Sequence, residues 1–243
     1  STRLPRAIRD VYKRQLFSFA LIVLNIDAAP DNIPVHVGPG GEVNRTEPKS
    51  IPSATFGVWY SVLLLVLVAF AAPRPAMAHM RFPVATEEPA IPFSNTAADK
   101  AATLLSITER SLAWLALATV VPMCLMQFTL TFPTYGDYLI AAIILLIISI
   151  VAALGYTFVQ ISRWPVQLAA MPTDDEERAR QKLFGVGGGM GFYNKPNDPM
   201  VAWVSPFNQS KVDLNWAHAP VKRYIYTMVL LIVVVTVAPF LTF

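Results

Sequence analysis

Charged residues are missing from four long stretches of this 243-residue chain, although it carries 19 Lys and Arg and 16 Asp and Glu. A soluble domain of this size spreads charge over its helices to keep one face in water, so this distribution excludes an ordinary soluble fold. The stretches have 18 to 24 residues and are 55–72, 111–132, 138–161 and 224–243. A helix of that length crosses a hydrocarbon core of roughly 30 Å.

Segments that cross lipid must be helical here, because lipid offers no hydrogen-bond partner to backbone amides. The sequence therefore predicts an all-α integral membrane protein with four full transmembrane helices. The apolar run 16–26 has only eleven residues, too few to span, and we interpret it as a truncated first helix, with a signal peptide as the alternative. Residues 1–15, with five basic side chains, fit nothing that follows and are predicted to be a non-native stub.

Cysteine and histidine are scarce. Cys124 is the only cysteine and lies in the middle of a span, which excludes a disulfide framework and predicts a small apolar packing residue. The three histidines, His36, His79 and His218, have no second His or Cys at ligand spacing. The sequence predicts no metal site.

Motifs for catalysis or cofactor binding are equally absent. In the glycine-rich stretch 185–191, Met190 occupies the third glycine position of a dinucleotide-binding pattern, and no Gly-Lys-Ser/Thr follows. No catalytic dyad is visible within the spans. We therefore predict a protein that is not an enzyme and binds no cofactor, and we interpret the glycines as a linker.

The basic residues are distributed unevenly between the loops. Twelve Lys and Arg lie in the loops 73–110 and 162–223, against two in the loop 27–53. Because cytoplasmic loops attract this bias, the sequence predicts a cytoplasmic N-terminus and an extracytoplasmic C-terminus. The positive charge is then a topology signal, which leaves the lipid bilayer as a partner and predicts no nucleic-acid binding.

The loops complete the predicted organisation. Five prolines and three glycines in 27–53 indicate a rigid outer loop of tight turns. Four acids at 174–177 followed by bases indicate a short solvated helix, and 192–215 predicts a small cytoplasmic β-hairpin. The predicted segments are 1–15, the stub; 16–77, first helix, outer loop and second span; 78–110, cytoplasmic linker and helix; 111–161, a transmembrane hairpin; 162–223, a cytoplasmic domain; and 224–243, the last span.

Two stretches carry a family resemblance. Residues 33–44, which read Ile-Pro-Val-His-Val-Gly-Pro-Gly-Gly-Glu-Val-Asn between a first and a second helix, resemble the signature of a bacterial membrane family labelled domain of unknown function 1648. Residues 189–199 and 214–216 resemble a short cytoplasmic domain found C-terminally in such proteins. Here Lys195 is inserted and Asp213 replaces the usual Thr. The resemblance implies a bacterial plasma-membrane protein, similar in its N-terminal part to immunity proteins against the SDP toxin.

The predicted function is partner binding, in toxin immunity or envelope stress. The partner would be an extracellular peptide toxin or a membrane or cytoplasmic regulator. Alternatives are a small-molecule or lipid transporter component, and a structural partner of another membrane protein. The main polar groups of the spans, Gln127 and three threonines, are also explained by helix packing. The residues predicted to face a partner are His36, Glu42, Asn197, Asp198, Asn215 and Trp216.

Overall fold

A computed structural model describes residues 6–38, 42–84, 88–183 and 191–241. The predicted glycine-rich turn at 39–41 and most of the predicted linker, 184–190, lie outside these residues. The described helices are α1 (Arg6–Leu24), α2 (Ile51–Ala54), α3 (Phe56–Ala71), α4 (Asn95–Thr131), α5 (Leu139–Ala170), α6 (Asp175–Leu183) and α7 (Ala219–Leu241). The described strands are β1 (Asn32–Val37), β2 (Val43–Pro48), β3 (Phe192–Tyr193), β4 (Ala202–Val204) and β5 (Val212–Asn215).

The prediction of an all-α membrane fold is confirmed. Four helical segments of the described chain are long and apolar enough to cross a membrane, with mean hydropathies of 1.6 to 2.8. They are Phe56–His79, Asn95–Thr131, Pro133–Ala170 and Ala219–Val237. The apolar part of α1, Gln15–Leu24, is shorter. The helix itself begins earlier, at Arg6, and so includes most of the residues predicted to be a non-native stub.

The chain divides into two compact units, Ser1–Ala69 with Leu112–Gly155, and Phe70–Ser111 with Tyr156–Phe243. Among the described residues of the first unit, an apolar cluster is formed by α1, the segment before β1, β1, α2, α3 and α4. Its most buried members include Ile22, Ile33, Leu65 and Val120, each with no exposed surface. Cys124 lies in this cluster as a buried free thiol, so the packing role predicted for it is confirmed.

The loop before the second span contains a sheet that the sequence did not predict. Strands β1 and β2 form an antiparallel two-stranded sheet, where only turns were predicted. Its register shifts on both sides of His36. Proline cannot donate to a ladder, but in a two-stranded sheet each strand is an edge, so Pro34 and Pro48 are tolerated. Below we call β1, β2 and their connection the hairpin.

The second span starts with a break between two helices, and the side chain of Gln127 hydrogen-bonds the backbone groups at that break. α2 and α3 are separated at Thr55. The amide of Gln127 donates to Ala54 O at 2.9 Å and accepts from Gly57 N at 2.8 Å. A Cβ added at Gly57 would lie 2.7 Å from Gln127 Oε1, so glycine is what lets the two helices approach. Gln127 thus serves helix packing, because lipid offers no hydrogen-bond partner to the backbone groups at the break.

The second unit contains a three-stranded sheet of order β3-β5-β4. β4 and β5 are antiparallel neighbours, as predicted for a hairpin, but β3 adds to the other edge of β5 in parallel. The predicted hairpin is therefore present, and β3 adds a strand that was not predicted. β3 has only two residues, too few to give an alternating pattern in the sequence.

Three apolar clusters pack around this sheet. Trp164 of α5 has no exposed surface, contacts Leu104 and Ile107 of α4, and donates its indole N–H to Gln209 O at 2.6 Å. Both long helices extend beyond the charge-free stretches: α4 begins at Asn95, and α5 continues through Pro165 to Ala170. Their ends thereby become part of the core of the second unit.

Candidate functional site

The hairpin presents polar side chains and is anchored by apolar ones. Ile33 of β1 is completely buried in the cluster of the first unit. On the exposed part, His36 Nδ1 is hydrogen-bonded to Asn44 Oδ1, and Arg45 Nη2 donates to Glu47 Oε1 at 2.7 Å. These cross-strand and same-strand pairs hold the side chains in fixed positions. The predicted residue His36 therefore lies on a preorganised surface.

Glu42 lies at the turn of the same hairpin and is exposed. Its carbonyl accepts a hydrogen bond from Gly38 N at 2.8 Å, and its side chain lies against Gly38. A Cβ added at Gly38 would lie 2.0 Å from Glu42 Oε1, so any larger residue there would displace the carboxylate. The structure thus places both predicted residues of the outer loop on one hairpin.

The four predicted residues of the second unit differ in exposure. Asn197 is half-buried and donates to Pro89 O at 3.1 Å. Trp216 is half-buried and meets Tyr226 edge-on, with ring centroids 6.0 Å apart. Each keeps part of its surface available to a partner.

Asp198 and Asn215 have no exposed surface, so the expectation that they face a partner is corrected. Asp198 receives two hydrogen bonds from Arg180, at 2.7 and 2.8 Å, and one from Tyr193 at 2.8 Å. Both members of the ion pair have fully buried side chains. A buried charge requires such partners, because leaving water unpaired is costly.

Asn215 is buried because its amide joins β5 to the chain that precedes β4. Its Oδ1 accepts from Lys195 N at 3.1 Å, and its Nδ2 donates to Lys195 O at 2.9 Å. Both amide atoms are therefore used inside the unit, and the residue acts as a structural link.

Three residues of this buried network were not predicted: Arg180, Tyr193 and His218. His218 Nε2 is hydrogen-bonded to Asp198 O at 2.7 Å, and its ring stacks on Phe82 at 4.8 Å. Burial, and next the charge of Asp198, raise the pKa of Tyr193 well above its ordinary value, so its hydroxyl stays a donor. No sequence spacing connects these residues, and only folding brings them together.

A second polar network joins α6 to the start of α4. Lys100 Nζ donates to both carboxylate oxygens of Glu177 at 2.8 Å and to Thr173 Oγ1 at 2.8 Å. The N-cap of α4 is Ser94, whose hydroxyl accepts from Ala97 N at 2.9 Å. The neighbouring hydroxyl of Thr96 does not cap the helix and donates to Glu177 Oε2 at 2.7 Å.

Asp174 completes this network from the residue before α6. It accepts from Ser94 Oγ at 2.8 Å, from Thr96 N at 3.2 Å and from Glu177 N at 2.7 Å. Burial raises the pKa of Asp174, but these hydrogen bonds outweigh it and hold the pKa below its usual range. The carboxylate therefore stays charged at neutral pH and caps both helices.

A cavity of about 490 Å³ opens beside this second network, entirely within the second unit. It is lined by residues of α4, α5, α6 and β4, of the connection between α5 and α6, and of the loop after β4. None of its lining residues belongs to the four charge-free stretches.

Within the described parts of the chain, no three His, Cys, Asp or Glu side chains form a group that could hold a metal ion. No protein-family model, curated protein or solved structure matches this sequence or its fold. The chemistry of the chain is therefore argued below from its own residues.

Proposed function

We propose that this multi-pass membrane protein acts by binding a partner at the hairpin, in the manner of a toxin-immunity protein of the bacterial plasma membrane. The observation that carries the proposal is the anchoring of the hairpin by buried Ile33 beneath exposed, internally bonded polar side chains. Such a surface loses little conformational entropy on binding. His36 and Glu42 are exposed, and neither belongs to the apolar cluster of the first unit.

Binding is favoured over transport by the way the spans use their polar groups. Gln127 is taken up by the break between α2 and α3, and Thr131 donates to Ala54 O at 3.0 Å. Ser61 donates to Val58 O of its own helix at 2.7 Å. A transport pathway needs polar groups that remain free to meet a substrate. The cavity beside Lys100 does not supply one, because its lining lies outside the charge-free stretches.

The sidedness of the hairpin follows from the distribution of Lys and Arg. We propose that the hairpin is extracytoplasmic and that α6 is cytoplasmic. In a Cys124→Ala background, Val43→Cys should react with an impermeant maleimide added to intact cells, since Val43 is 50% exposed. Asp175→Cys, at a side chain that is 92% exposed, should react only after permeabilisation. Labelling of both positions from outside would contradict this topology.

The binding role is tested in a host that is sensitive to a peptide toxin encoded beside the source gene. The full-length protein should protect the host, and His36→Ala should lower the tolerated toxin dose about tenfold, as expected for about 1.4 kcal/mol of lost contact. Glu42→Gln should have a similar effect. Membrane levels of all variants are matched by immunoblot.

Two controls separate contact with the toxin from stability of the hairpin. Asn44→Ala removes the same internal hydrogen bond as His36→Ala. If it lowers the tolerated toxin dose as much as His36→Ala does, His36 only stabilises the turn. Asp137→Asn removes an exposed acid elsewhere on the proposed outer side and should leave protection unchanged. No protection by the unaltered protein would refute the immunity function and leave the transporter or structural partner.

The second unit would meet the internal partner. Asn197 and Trp216 retain exposed surface, and both belong to the stretch that resembles the short cytoplasmic domain. That stretch and residues 33–44 are also what supports membership of the domain of unknown function 1648 family. The buried Asp198 and Asn215 hold this surface in shape.

A further inference from the structure

The cavity of the second unit is lined by apolar side chains on one part of its wall and by polar side chains on another. Its volume is about 490 Å³. That lies within the range of about 300–1,000 Å³ typical of small-molecule sites. Five of its lining residues are large or rigid apolar groups: Pro165, Leu168, Met171, Trp203 and Pro206.

The polar side of the cavity carries no net charge. Lys100 and Glu177, both 7% exposed, lie 2.8 Å apart and neutralise each other. All three N–H groups of Lys100 are used, by the two carboxylate oxygens and by Thr173. An anionic ligand would find no free cationic donor at this pair, and a cationic one would have to displace Lys100.

Two groups lining the cavity retain hydrogen-bonding capacity. Glu177 Oε1 accepts only from Lys100 among the described residues, so one of its lone pairs is open. Ser205 is 1% exposed, and within the described chain its buried hydroxyl has no hydrogen-bond partner. A buried hydroxyl without a partner costs about 1–3 kcal/mol, which a ligand could recover.

We propose that this cavity binds an uncharged amphipathic small molecule whose apolar body lies against Trp203 and Met171. Its hydroxyl or N–H group hydrogen-bonds at Ser205 and Glu177. The site is separate from the hairpin, and the proposal does not depend on the hairpin's function.

The test uses para-fluorophenol, an uncharged aromatic donor, with the full-length protein in lipid nanodiscs. Fluorine NMR line broadening is measured as the probe concentration rises, and only its saturable part is attributed to the protein. Ala169→Trp fills the cavity from an exposed position of α5, whereas Ala170→Trp adds the same side chain at the next residue, which does not line the cavity. Equal thermal unfolding of the two variants shows that both are folded.

The expected result is saturable binding that Ala169→Trp abolishes and Ala170→Trp retains. Ser205→Ala should weaken binding about fivefold, the value of one neutral hydrogen bond. The anionic probe para-fluorobenzoate should show no saturable binding, because every N–H group of Lys100 is already used and none is free to pair with a second carboxylate. The proposal is overturned if the two tryptophan variants behave alike, if the anion binds as well as the phenol, or if neither probe binds saturably.

Discussion

The Asp198→Ala variant is expected to lose about 3–5 kcal/mol of stability in the second unit, since breaking a buried ion pair leaves an uncompensated charge. Arg180 has a fully buried side chain, and its pair with Asp198 is closed by two short hydrogen bonds. The substitution also removes the shorter hydrogen bond of the Tyr193 hydroxyl, at 2.8 Å, and the side-chain acceptor of Met200 N. The measurement is amide hydrogen exchange of β4 and β5 in the full-length protein.

Asp175→Ala is the matched control for this prediction. It breaks an acid–Arg pair of the same length, 2.7 Å, but one whose side chains are 92% and 58% exposed. Exposed pairs contribute little, so the change should be below about 1 kcal/mol. The double variant Arg180→Met with Asp198→Leu should recover part of the loss, because no buried charge remains. Similar exchange in Asp198→Ala and Asp175→Ala would show that the buried pair does not stabilise the sheet.

Trp164→Ala is expected to destabilise the same unit by about 3–5 kcal/mol through the cavity that it leaves. Trp164 has no exposed surface. From α5 it packs against α4 and donates a hydrogen bond to the β4–β5 connection. Trp164→Phe should cost less, since it keeps most of the ring volume and loses mainly the hydrogen bond to Gln209 O. Thermal unfolding in detergent, followed by protease resistance of residues 202–215, gives the order of the three proteins.

The control for Trp164 lies two residues further along the same helix. Val166 is 75% exposed, so Val166→Ala should change stability by less than about 0.5 kcal/mol. If Trp164→Ala is no more sensitive to protease than Val166→Ala, the end of α5 is not part of the unit's core.

The transmembrane helices could be predicted because the signal is local. A stretch of 18 or more residues without charge is long enough to cross a bilayer and must be helical there, so the four spans could be predicted from composition alone. Helix α6 could be predicted for the same reason, because its acidic residues lie in the first turn and its basic residues in the last. In both cases the residues that determine the structure are neighbours in the chain.

The candidate sites depended on contacts between distant residues. Lys100 and Glu177 are 77 residues apart, and the parallel pairing of β3 with β5 joins Tyr193 to Asn215. Asp198 and Asn215 were predicted to face a partner because they lie in the stretch that resembles a short cytoplasmic domain. Residue type alone cannot show that Arg180 and the backbone of Lys195 satisfy them inside the unit.

The position of β5 has a mechanical consequence for the last helix. β5 is the central strand of its sheet, and only Trp216, Ala217 and His218 separate it from α7. His218 is itself tied to the carbonyl of Asp198. A tension or torque applied to α7 within the bilayer would thus be transmitted to the central strand of the sheet, because the three-residue connection is too short to absorb it. The two hydrogen-bond ladders that flank β5 would resist that load together, so α7 and the sheet should yield as one element.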